Sequence, residues 1–314
     1  MTVTLAAGLT PPPEFLADHT FRTVLVGTTV IGVVAGALGT FAYLRRQSLL
    51  SDVVSHSALP GTLIAFLVAV GLGLDGRNMA LLILGAVVVG TLAVFCTETI
   101  VRTTKLAVDS AMAVTLTSFF GLGMLLMRVI SDAPLPGKGG IQDYLFGNAS
   151  VITRADLAVS LSVGAVALLV VVLLWKEFAL RTFDPAQAEV TGLPTRAIDT
   201  ALFACIVVAT VIGVKAVGLV LMVAFVVTPP ATARQWTNRL STTVILAGAV
   251  GGLGSAVGSY LSIALGDVPT GPLIVLVLFA FFLVSLLCAP HRGLIARGVG
   301  RARARRRLLA EVAA

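Results

Sequence analysis

Asp52 and His56 stand four residues apart in the run Ser51-Asp-Val-Val-Ser-His-Ser-Ala-Leu-Pro-Gly61, inside an otherwise apolar stretch. A helix turns about 100° per residue, so such positions lie about 40° apart around the axis and about 6 Å apart along it. Carboxylate and imidazole therefore share a face. Ionisable groups are costly inside a bilayer, where they line a pathway, bind an ion or pair with each other. The pair reads as half of a divalent metal site. His56 is the only histidine within an expected span, since His19 and His291 lie at opposite ends of the chain. One copy thus offers too few ligands, whereas two copies about a two-fold axis would offer two imidazoles and two carboxylates. Four such groups can hold a borderline divalent ion, and bidentate carboxylates could raise the coordination number to six. No thiolate is near, which argues against copper(I).

The segments that must position this pair are hydrophobic throughout. Hydrophobic residues make up 57% of the chain and charged ones 12%, with a mean hydropathy of +1.02. No water-soluble domain needs that much apolar surface. A hydrocarbon core of roughly 30 Å takes about 20 apolar residues per helix. Candidate spans run approximately 22 to 44, 49 to 74, 78 to 100, 106 to 130, 156 to 176, 197 to 214, 217 to 235, 243 to 266 and 271 to 290. The expected fold is an all-α polytopic bundle of about nine spans (eight or nine), with residues 21–291 as the transmembrane domain. Residues 1–20 would be an extracytoplasmic segment and 292–314 a basic cytoplasmic tail.

Cytoplasmic loops collect Lys and Arg. With the N-terminus outside and the C-terminus inside, sixteen of the 22 basic residues fall on the inner side, among them Arg45, Arg46, Arg102, Lys105, Lys176, Arg181 and Arg196. The net charge of +7 owes much to Arg301-Ala-Arg-Ala-Arg-Arg-Arg307. Such a run beside a last helix fixes orientation and touches anionic membrane lipid. Without aromatic interleaving or a folded basic domain it is not a nucleic-acid site. Cys96, Cys205 and Cys288 fall in three different segments without paired spacing and read as packing residues. Residues 1–20 lack a basic region ahead of an apolar core and carry Pro11-Pro-Pro13, so no cleavable signal is expected.

Two hydrophilic interruptions are long enough to carry function. Ser131 to Asp156, on the outer side, holds Tyr144-Leu-Phe-Gly-Asn-Ala-Ser150, which reads as a partner-docking stretch or an interfacial connector. Lys176 to Arg196, on the inner side, holds Phe183-Asp-Pro-Ala-Gln-Ala-Glu-Val-Thr-Gly-Leu-Pro194. Asp184 suits the N-cap, Pro185 the first helical position and Gln187 the capping-box position, and Gly192 with Pro194 marks the end. A lipid-resting helix would show a basic face. Asp184 and Glu189 are acidic instead, so the short helix reads as a protein-docking surface.

In the eighth segment Gly248, Gly251, Gly252, Gly254, Ser255 and Gly258 allow close backbone packing. Pro60-Gly61 and Pro229-Pro230 interrupt the backbone ladder, as cavity-lining segments do. Glu98, Asp109 and Asp199 lie at helix ends, where Arg102 or Lys105 could pair with the first two.

Over nearly its whole length the chain resembles the membrane permeases of ABC importers for manganese, zinc and iron. The resemblance rests on Leu50 to Gly61, on Phe183-Asp-Pro to Gly192, on Lys215-Ala-Val-Gly-Leu-Val-Leu-Met, on Thr228-Pro-Pro-Ala-Thr-Ala-Arg234 and on Asp267-Val-Pro-Thr-Gly-Pro272. It implies a homodimer of eight- or nine-span subunits in the bacterial plasma membrane, driven by separate cytoplasmic ATPase subunits. An extracytoplasmic metal-binding protein would supply the cargo, Mn²⁺, Zn²⁺ or Fe²⁺, and no cofactor would be bound permanently. Asp52 and His56 match the family's metal-coordinating helix, and 184–192 its coupling helix. Ser57 departs from the family's usual Ala, and the Tyr144 to Ser150 stretch looks more like the manganese and iron branch.

The chain has no Gly-x-x-x-x-Gly-Lys-Ser/Thr loop, so energy must come from a partner and the chain itself is not expected to be an enzyme. An ion-coupled secondary metal transporter is the alternative, with Asp52 and His56 relaying protons, but no inverted repeat is evident. An intramembrane metalloprotease would need a His-Glu-x-x-His signature, which is absent.

Overall fold

Long apolar runs without internal charge leave helices as the only way to satisfy the backbone in lipid, and helices are what form. The computed structural model describes residues 19–134 and 154–290, apart from 48, 75, 77, 266 and 267, together with 293. Eleven helices and no strands occur among them: α1 (His19–Leu44), α2 (Leu50–Gly71), α3 (Met79–Thr103), α4 (Val108–Asp132), α5 (Arg154–Leu173), α6 (Trp175–Phe183), α7 (Pro185–Val190), α8 (Thr195–Val217), α9 (Leu219–Trp236), α10 (Leu240–Leu265) and α11 (Thr270–Cys288). The basic tail Arg301 to Arg307, the residues before His19, the Tyr144 to Ser150 stretch and Asp267 lie outside the described residues.

Nine of these helices occupy the nine expected apolar segments. Among the described residues, seven are long and apolar enough to cross a membrane, and eight if α5 and α6, bent by 71° at Leu174, make one span. The remaining apolar segment, α9, ends on the more polar run Ala231-Thr-Ala-Arg-Gln-Trp236 and does not count with them. Sequence hydropathy missed α6, because that helix is amphipathic. Its Phe178 is fully buried and meets Phe41 of α1 edge-on at 5.8 Å, Trp175 meets the same ring at 6.1 Å, and Lys176 stays exposed.

Two groups of helices share the load. α2 packs chiefly on α3 and α4, while α1 packs chiefly on α10 and also on α9, with α11 closing against α9 and α10; α8 touches both groups. The α1–α10 contact is backbone on backbone. A methyl at Gly32 would run into Ser255 Oγ and the Gly251 carbonyl, and one at Gly251 into the Gly32 carbonyl, so the small-residue spacing of α10 serves this crossing. Thr28 and Ser259 hydroxyls pair across it at 2.9 Å. Gly254 and Gly258 face Leu278 and Ile274 of α11 instead.

The proline breaks do less than expected. Pro60 lies buried within a continuous α2, and Gly61 abuts Gly85 of α3 rather than a cavity. Pro229 and Pro230 likewise sit buried inside α9.

Candidate functional site

α2 begins after a tight turn in which Gln47 N–H returns to the Ala42 carbonyl at 2.8 Å. Asp52, in the first turn, suits the positive end of the helix dipole. From Leu50 to Leu63 every residue is buried except Asp52 and His56. Those two side chains remain 26% and 20% exposed, with His56 Nε2 3.3 Å from Asp52 Oδ1. Phe120 of α4 stands edge-on to the imidazole, centroids 4.9 Å apart at 86°. The imidazole Nδ1 is buried and makes no hydrogen bond. Pro60 has no N–H to give the His56 carbonyl, four residues earlier, so that oxygen also lacks its helical donor. Ser57 changes little, since its hydroxyl donates to the Val54 carbonyl within α2 at 3.0 Å.

The structure therefore brings Asp52 and His56 together on the one partly exposed side of this stretch of α2. Among the described residues no group of three His, Cys, Asp or Glu side chains is placed to hold a metal. An incoming cation would find one carboxylate and one imidazole on this side of α2.

The neighbouring surface of α4 continues this edge. Ser110, Ala113, Thr117, Ser118 and Gly121 are exposed along it, and Phe120 lies at its border. Thr117 and Ser118 give their hydroxyls to the Ala113 and Val114 carbonyls at 2.8 Å, and the exposed Val114, Met124 and Leu125 share this side of the helix with them. The open face of α5 carries Val166, Leu169 and Val172.

The second sequence-derived site forms as its punctuation dictates. Asp184 caps α7 by accepting from Gln187 N–H at 2.9 Å, and Pro185 is the first helical residue. Val190 is the last, followed by Thr191 and by Gly192 in the left-handed region at φ +72°. Ala188 is the one buried side chain of α7, while Pro185, Gln187 and Glu189 are exposed and Val190 is 84% open.

Sequence reasoning passed over one cluster beside α7. Asp199, one turn into α8, accepts from Arg45 Nη1 at 2.7 Å and from Arg181 Nη2 at 2.8 Å. Arg181 Nη1 in turn meets Glu189 of α7 at 3.4 Å. The acid was visible at a helix end, but Arg45 is 154 positions away and no local spacing could pair them. Glu98 does pair with Arg102 as expected, at 3.3 Å.

Known proteins agree with this architecture. The chain is 40% identical over 284 residues to the manganese transport system membrane protein MntC of Bacillus subtilis, covering 90% of this chain and 64% of that protein, so it spans somewhat under two thirds of that relative's length. It is 39% identical to the zinc transport system membrane protein TroC of Treponema pallidum, covering 90% of this chain and 93% of that one. Among solved structures it is similar to PsaBC from Streptococcus pneumoniae in complex with Fab, with 31% identity, a TM-score of 0.76, and 89% and 96% of the two chains covered. Residues 17–289 match the sequence profile of the ABC 3 transport family, and the chain belongs to that family as a multi-pass membrane protein.

Proposed function

We propose that this chain is the permease subunit of an ATP-driven importer that moves a divalent transition metal, manganese first and then zinc or iron, across the bacterial plasma membrane by alternating access. The observation that carries the site is the open edge of α2, where Asp52 and His56 are the two unburied positions between Leu50 and Leu63. The same pair from a second copy would complete a four-donor site, and the small exposed residues of α4 beside Phe120 support a homodimer with α2 and α4 near its axis. Carboxylate oxygens suit manganese and imidazoles suit zinc or iron, so a mixed set accepts all three. The manganese and zinc systems among the relatives favour the same cargo.

Energy enters through partner ATPase subunits on the cytoplasmic side, docked on α7 through the exposed Pro185, Gln187, Glu189 and Val190, with Asp184 and Gly192 fixing the ends of that helix. An extracytoplasmic metal-binding protein would deliver the ion to the opposite end. Nine membrane crossings, counting α5–α6 once and α9 as a full span, would set the N-terminus outside and the C-terminus inside, which agrees with the distribution of Lys and Arg.

The test is uptake into vesicles reconstituted with the permease and its ATPase. Mn²⁺ should enter only with ATP, Zn²⁺ and Fe²⁺ should compete, and His56→Ala should abolish accumulation while leaving the complex assembled. Undiminished uptake by that variant would overturn the site.

A further inference from the structure

Ala188 is the only side chain of α7 that is buried, so packing alone ties this helix weakly to the bundle. An ionic chain supplies a second attachment. Glu189 on α7 meets Arg181 Nη1 on α6 at 3.4 Å. Arg181 then straddles Asp199 of α8, its Nε 3.2 and 3.1 Å from the two carboxylate oxygens and its Nη2 2.8 Å from Oδ2. The free side of Oδ1 takes Arg45 Nη1 at 2.7 Å, and Arg45 Nε donates to Thr182 Oγ1 of α6 at 3.3 Å. Arg45 is the first residue after α1, and α2 opens at Leu50, two positions before Asp52.

The pairs are not superficial. Arg45 is 11% exposed, and Arg181 and Asp199 are each four-fifths buried. They line a cleft of about 440 Å³ between the ends of α1, α3, α4 and α8. The other carboxylate of that cleft, Glu98, is held on α3 by Arg102, so Asp199 is the one carboxylate that both guanidiniums share, with Glu189 meeting Arg181 from the α7 side. A fork-on-carboxylate contact fixes angle as well as distance, because the planar guanidinium donates along two parallel directions.

We infer that Asp199 is a positioning residue of the transport cycle: by holding Arg45 and Arg181 together it fastens the α6–α7 corner to the junction of α1 and α2. Displacement of α7 is then delivered to the Asp52/His56 edge as movement of one rigid corner rather than lost in a loose loop. This inference rests on the reading of α7 as the helix that the ATPase drives.

The experiment measures Mn²⁺ uptake and phosphate release on the same reconstituted permease–ATPase complex. Asp199→Asn keeps the size of the side chain and removes the charge. We expect an unchanged half-saturating Mn²⁺ concentration, because the ligands are untouched, and a fall of about tenfold in ions moved per ATP, within the usual range of coupling between sites. Asp199→Glu should restore most of that ratio. A purely structural role would lower the amount of assembled complex and leave the ratio per complex intact, so a wild-type ratio in Asp199→Asn overturns the inference. If Asp199→Asn does not accumulate, Arg181→Gln, which keeps Asp199 paired with Arg45, carries the same expectation, and a wild-type ratio there overturns it equally. ATP hydrolysis without Mn²⁺ entry in the unmodified complex would instead overturn the importer function beneath it.

Discussion

At the scale of single residues, the argument turns on which side of α2 is left open. A helix with twelve of the fourteen positions from Leu50 to Leu63 buried would ordinarily be apolar throughout, and Asp52 and His56 are the costly exceptions. Their presence on the one partly exposed side is explained if something polar meets them there. Each substitution acts twice in a two-fold assembly, since it removes two of four donors. Asp52→Asn should therefore cost more than about tenfold in Mn²⁺ affinity, the lower end of what loss of even a supporting group costs a metal site, as read from the metal dependence of uptake. Asp52→His should keep transport and move preference from Mn²⁺ towards Zn²⁺, because imidazole replaces a hard oxygen donor. A competition series that ranks the metals as in the unmodified protein would contradict the assignment.

At the scale of elements, the apolar helices were legible because a bilayer demands length and hydropathy of each span independently of its neighbours. α7 was legible because its signals are local: Asp184, Pro185, Gln187 and Gly192 all act within one short stretch of chain. α6 was hidden, since an amphipathic turn beside Lys176 looks like loop until Phe41 is known to receive Trp175 and Phe178. Asp199 was hidden for the same reason, its partners being fixed by tertiary packing. The spacing of α10 gave its glycines but not their partner helix. That partner makes a sharp expectation possible: Gly32→Ala should destabilise the detergent-solubilised protein by about 1–3 kcal/mol, the usual cost of overpacking, because the new methyl meets backbone of α10. Gly71→Ala, with nothing within 4 Å, should leave the melting temperature unchanged or raise it. The cap of α7 offers a milder case. Asp184→Ala should cost about 1 kcal/mol locally, seen as faster amide exchange at Gln187 and a lower uptake rate with assembly preserved.

At the scale of the whole molecule, the surface divides by what it can touch. Lipid chains are as apolar as Leu, so a lipid-facing helix gains by presenting bulk, as α5 does with Val166, Leu169 and Val172. The exposed side of α4 mixes Val114 and Leu125 with Ser110, Ala113, Thr117, Ser118 and Gly121, and these small positions allow another helix backbone at close range. That face lies beside Phe120, which touches His56, so a second copy docked there as proposed would also complete the proposed metal site. A two-fold axis there brings each residue of the face near its own counterpart, and a disulfide forms only when the two Cα atoms lie within about 7 Å. With Cys96, Cys205 and Cys288 replaced, single cysteines at Ala113, Thr117 and Gly121 should therefore give, at one or more of these positions, an oxidation-dependent band at twice the 32.4 kDa of the chain. Cysteine at Leu169 should not, and Mn²⁺ should protect the α4 crosslink against added thiol by drawing both copies together. Crosslinking at Leu169 with none along α4 would place the axis elsewhere and separate the two Asp52/His56 edges.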